Sequence, residues 1–202
     1  TDYRVFRGMY KGGDPSLVTQ EWVRRHVTEG HGALGAAYPN YDGGDPWGRV
    51  RGVKEGDTPS WFYVLPNGLS DPEQPSWGCW GGRFQGSGTR YTDAQDDVPG
   101  EDGERATVNR WRPAYQADFQ ARMTWCHTPY QGANHAPVAR LAGPERLSAH
   151  PGQEVALDAT PSTDPDGDSL AFAWSIYREA GSCNLPVCIE GADRAQAGLV
   201  AP

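Results

Sequence analysis

The chain has 202 residues, 37% of them hydrophobic and 11% aromatic, enough for one good core or for one domain and part of a second, and not the composition of a disordered chain. A formal charge of -8 opposes broad attraction to phosphate backbones or anionic lipid, so a nucleic-acid polymer is excluded as the expected partner. No apolar stretch approaches the ~18 to 20 residues that a membrane-spanning helix needs.

Thr1 is not an initiator methionine, and Ala201-Pro202 closes the chain inside a β pattern, so both ends are expected to be cut from a longer protein. Asp14-Pro15 followed by Leu17, Val18, Trp22, Val23 and Val27 predicts an amphipathic helix, with Asp14 as N-cap, Pro15 at its first position and Gly30 ending it. That helix leads to Gly30-His31-Gly32. Glycine on both sides would let the imidazole enter a pocket; the plainer reading is a helix-ending turn with a surface histidine. Residues 30 to 53 are rich in glycine without clear periodicity, which predicts a long ordered loop.

The segment Lys54 to Leu69 carries the strongest functional signal, because Glu55-Gly56-Asp57 leads directly into Trp61-Phe62-Tyr63-Val64-Leu65, an apolar run expected to be core. Asp57 is placed to cap a helix whose first turn is Thr58-Pro59, or to ligate a metal. In an extended segment Glu55 and Asp57 could share a face, binding a hard cation or dividing acid and base roles. Pro66-Asn67-Gly68 reads as a turn, and residues 86 to 106 as an exposed polar excursion. Asn109 is expected to cap a second helix with the stripe Trp111, Tyr115, Phe119, Met123 and Cys126.

A change of composition near Pro137 marks a domain boundary, giving units 1–134 and 135–202. Beyond it, Val155-Ala156-Leu157-Asp158 and Leu170-Ala171-Phe172-Ala173-Trp174 alternate as two strands around the turn-rich Asp164-Pro165-Asp166-Gly167-Asp168. An EF-hand is rejected there, since glycine stands fourth and the twelfth residue is Ser175; a hairpin turn with a weak structural calcium remains open. Cys183 and Cys188 are close enough in sequence to staple a loop, while Cys79 and Cys126 read as a second pair or as buried thiols. Of eight tryptophans, Trp22, Trp61, Trp111 and Trp125 read as core, leaving Trp47, Trp77 and Trp80, each beside a glycine, as flat contacts for a sugar ring.

Gly30-His31-Gly32-Ala33-Leu34-Gly35, the Glu55-to-Leu69 segment, Trp77-Gly78-Cys79-Trp80-Gly81-Gly82-Arg83-Phe84 and Trp111 to Phe119 together resemble a bacterial cellulose-binding family with a nucleoside-hydrolase-like domain. The resemblance implies an α/β fold: the C-terminal portion of an open nucleoside-hydrolase-like sheet, followed by an incomplete immunoglobulin-like β-sandwich after a linker. It also implies a secreted or periplasmic protein.

From nucleoside hydrolases it further implies calcium, held by an N-terminal aspartate cluster and one late aspartate that Asp57 matches. The cluster is absent from this sequence, so the fragment alone is expected to hold part of a metal site and to be inactive. Where many relatives place a histidine before the late aspartate, this chain has Gly56, which makes another glycoside as much the expected substrate as a nucleoside. Glu55 is then the candidate catalytic residue, and His31, Trp47, Trp77 and Trp80 the candidate substrate contacts. Three functions follow: a calcium-dependent hydrolase of N- or O-glycosidic bonds, a non-catalytic polysaccharide-binding protein, and a structural module with all its aromatics in the core.

Overall fold

The computed structural model describes residues 12–44, 49–56, 58–65, 67, 69 and 71–202. The chain divides into two compact units, Thr1–Ala133 and Asn134–Pro202.

In the first unit the Asp14 carboxylate accepts the Ser16 amide at 2.9 Å, but the turn it opens, Pro15–Val18, is a single 3-10 turn. Thr19 is extended (ψ 160°) and starts a new helix with its own hydroxyl, which accepts the Trp22 amide at 3.1 Å. That helix, α1 (Gln20–Val23), runs on as a wider π-helical turn, Arg24–Thr28. The single helix expected from Asp14 to Gly30 is therefore broken at Thr19, a residue whose side chain competes for backbone donors. Val18, Trp22, Val23 and Val27 nevertheless share the buried face that the spacing predicted.

The loop expected over 30–53 contains a helix, α2 (Gly32–Ala37), and a short antiparallel pair, β1 (Tyr41–Asp42) with β2 (Arg51–Gly52). Helix α3 (Thr58–Phe62) begins directly after Asp57. The run it opens is not all core: Trp61 is 72% and Val64 61% exposed, and only Phe62 packs on the central cluster of Val18, Trp22, Val23, Val27, Val53, Val108, Tyr115 and Met123.

The excursion expected at 86–106 is exposed over residues 86–92, as its polarity predicts, but is ordered as a hairpin, β3 (Phe84–Ser87) with β4 (Arg90–Asp93), leading into α4 (Gly103–Asn109). Asp102 caps α4, and Asn109 is its buried last residue rather than the cap of the next helix. Helix α5 (Arg112–Trp125) starts at Trp111 with Pro113 in its first turn. It buries Tyr115 and Met123, while Cys126 is exposed. Among the described residues of this unit the only strand pairings are these two short antiparallel ladders, and the open sheet is not formed by them.

In the second unit, β5 (Glu154–Asp158) pairs antiparallel with β7 (Gln196–Val200), which also pairs with β6 (Ile189–Glu190). The partner expected for β5, Leu170 to Trp174, forms no ladder. Its alternation is real, with Leu170, Phe172 and Trp174 half-buried between exposed neighbours, but Trp174 is held by its amide to Ala192 O and its indole N–H to Arg194 O, both at 2.8 Å. The described residues thus show one three-stranded sheet, not a sandwich. The bridge that spacing allowed between Cys183 and Cys188 is not formed; both thiols are free and exposed.

Candidate functional site

Glu55 is positioned by the strand before it. The Val53 amide donates to Val18 O at 2.9 Å, and two residues on, the Tyr38 hydroxyl donates to Glu55 Oε1 at 2.5 Å. Burial, and then the Glu55 carboxylate beside it, push the Tyr38 hydroxyl well above the usual tyrosine range. The phenol therefore stays a donor and fixes one oxygen of Glu55. Asp57 and Trp47 lie outside the described residues. Among those described, no group of three or more His, Cys, Asp or Glu side chains is placed to hold a metal ion.

His31 stands at the start of α2 with Nδ1 2.7 Å from Glu29 O. Its ring meets His127 edge to face, with centroids 5.2 Å apart. Gly32 permits that approach: it has φ +68°, and a Cβ there would lie 3.3 Å from His127 Cβ. Spacing in the sequence gave no sign of the His31–His127 contact, because the two residues come from elements nearly a hundred positions apart.

The aromatic candidates separate. Trp80 is half-buried, edge-on to Phe62 at 6.0 Å and to Tyr115 at 6.5 Å, so its ring lines the core. Trp77 is 42% exposed on a turn closed by its amide to Gln74 O at 2.9 Å. Trp61 was expected in the core and is on the surface. Two further aromatic residues bear on this part of the unit: half-buried Tyr63, from the run expected to be core, is edge-on at 5.6 Å to Phe84, whose amide donates to Pro75 O at 2.9 Å, and Tyr91 is 48% exposed on β4.

Among the described residues, the first unit combines helices with two short antiparallel ladders, and the second unit holds a three-stranded sheet. Residues 2–84 match the family described as cellulose-binding Sde182, nucleoside hydrolase-like domain, and residues 154–202 match cellulose-binding protein Sde0182, C-terminal domain. Each unit thus contains a match to a domain of this family. A solved structure similar to it is a nucleoside hydrolase-related hypothetical protein from Saccharophagus degradans, described as associated with carbohydrate metabolism, at 36% identity and a TM-score of 0.69. The alignment covers 91% of this chain and 46% of that one, so the chain spans less than half of that protein's length. No curated protein matches it.

Proposed function

We propose that this chain binds a polysaccharide of the cellulose type, as part of a secreted or periplasmic nucleoside-hydrolase-like protein whose second unit contributes one sheet of an immunoglobulin-like sandwich. The observation that carries the reading is Trp77: a large indole left 42% exposed on a braced turn is a stacking surface for a pyranose ring rather than a core side chain. The family's description as cellulose-binding supports it. The test is depletion of the chain from solution by insoluble cellulose; retention above that of an unrelated acidic protein is expected, and equal retention would end the reading.

A second reading, hydrolysis of a glycosidic bond with calcium, is favoured by the Glu55 carboxylate that Tyr38 holds just ahead of Asp57 and α3. A calcium shell takes about six to eight oxygens, and the described residues do not supply it. What the chain itself offers is Glu55 as an oriented carboxylate and Asp57 as one ligand. Calorimetric titration of the chain with calcium, wild type against Asp57→Ala, is expected to show weaker binding by the variant; equal affinity would remove Asp57 from any metal site.

A further inference from the structure

Three segments of the first unit meet beside Trp77. Gly81 lets the 77–82 turn lie on the end of α3, because a Cβ there would stand 2.5 Å from Pro59 O and 2.6 Å from the Tyr63 amide nitrogen. The Phe84 amide donates to Pro75 O at 2.9 Å, which holds the Gln74-to-Trp77 turn against the first residue of β3. Phe84 in turn meets Tyr63 edge-on. Across the hairpin Tyr91 stands opposite Gly86, so no side chain on the neighbouring strand covers its ring from the paired position.

Two acidic side chains lie on the turn that leads to Trp77. The Gln74 amide donates to Asp71 O and the Trp77 amide to Gln74 O, both at 2.9 Å, so Asp71 and Glu73 belong to the turn that carries Trp77; burial first, and then Cys79, Tyr91 and these carboxylates, push the Tyr63 hydroxyl above its ordinary value. Asp71 and Glu73 share a tight turn in which Asp71 Oδ1 accepts the Glu73 amide at 3.0 Å. Half-exposed aromatic faces beside carboxylates suit a ligand that is uncharged, has apolar C–H faces to stack and carries hydroxyl donors. An anionic polysaccharide would meet the same carboxylates as repulsion.

We propose that Trp77, Tyr91 and Tyr63, with the carboxylates of Asp71 and Glu73, form a subsite for a neutral β-linked glucan chain. The proposal rests on the polysaccharide-binding reading and adds to it the residues and the charge preference. Trp61, although more exposed, is excluded from the subsite: two positions from Tyr63 in a helical stretch, it points to nearly the opposite side.

The test uses the 202-residue chain with cellohexaose in calorimetry and insoluble cellulose in depletion. Trp77→Ala and Tyr91→Ala are each expected to weaken binding about five- to tenfold, Tyr91→Phe to stay within about twofold of wild type, and Trp61→Ala to match wild type. Polygalacturonate is expected to bind more weakly than cellohexaose, with Glu73→Gln narrowing the gap. Wild type that fails to bind cellulose would sink the binding reading and this proposal with it. Wild type that binds, with Trp77→Ala and Tyr91→Ala both unchanged or with Tyr91→Phe as weak as Tyr91→Ala, overturns the subsite alone. Should Trp77→Ala melt earlier, Tyr91→Ala at its exposed strand position carries the same prediction.

Discussion

Asp96 shows how much one side chain can hold. Its carboxylate is fully buried between Arg83 Nε at 3.0 Å and Arg110 Nη1 at 2.8 Å, while its amide donates to Gly103 O at 3.0 Å. The residue thereby ties the β3–β4 hairpin to both ends of α4. Arg83 is itself buried and also donates to Gln95 O at 2.7 Å, so removing the carboxylate strands a guanidinium that water reaches poorly. Asp96→Ala is expected to cost about 3–5 kcal/mol in urea unfolding, the range for breaking one partner out of a buried pair. Arg24→Ala is the contrast. Its partners Glu21 and Glu29 are as exposed as it is, and the loss should stay under about 1 kcal/mol. None of this was legible in the sequence, where Asp96 is one acid among several in a polar stretch; only the fold distinguishes a buried carboxylate from a solvated one.

Among elements, what the sequence made legible was the face and not the boundary. The spacing of Val18, Trp22, Val23 and Val27 identified a buried stripe, and the Asp14-Pro15 cap was read correctly, yet the helix between them restarts at Thr19. Besides the Thr19 hydroxyl that restarts it, the break has a close neighbour across the fold. Gly52 of β2 presses against the break so closely that a Cβ there would lie 2.1 Å from Val18 O, and its φ of +84° favours glycine twice over. Gly52→Ala is therefore expected to destabilise the unit by at least about 2 kcal/mol, combining a left-handed backbone with a backbone clash. Gly30 has a similar φ of +76° with nothing within 4 Å of an added Cβ, so Gly30→Ala should cost only about 1 kcal/mol. Thermal melts of the two variants side by side check the difference; equal losses would mean that the approach of β2 to Val18 carries no energy. The same limit explains the candidate site. Motifs placed Glu55 ahead of a helix, but its partner Tyr38 comes from the end of α2, in a stretch that periodicity read as loop.

For the whole molecule, the division into two units gives each its own response to acid. In the second unit the turn at Asp164 to Asp168 is organised by its own carboxylates: Asp164 Oδ1 accepts the amides of Asp166 at 2.8 Å and Asp168 at 3.2 Å. Asp166 accepts the His135 amide at 2.6 Å and lies 2.9 Å from His135 Nδ1. Those contacts with His135 hold Asp166 below the ordinary carboxylate range, and Gln196 followed by Thr160 does the same for Asp158 at the end of β5. A carboxyl whose folded pKa is depressed stabilises the fold above its unfolded value of about 3.9 and loses that contribution as pH falls through the folded value. The melting temperature of the second unit should therefore be little affected by these groups above about pH 5 and decline below about pH 4. Asp166→Asn should lower it at neutral pH, where the carboxylate contributes, and flatten the acid decline. Asp93 in the first unit works the other way. Burial, and then Glu104, raise its pKa, so its ionisation opposes folding and Asp93→Asn should raise the first unit's transition at neutral pH. Scanning calorimetry from pH 7 to 3 separates these effects, because each variant marks the transition of its own unit. If Asp166→Asn leaves the acid slope unchanged, the His135 contact does not hold the turn.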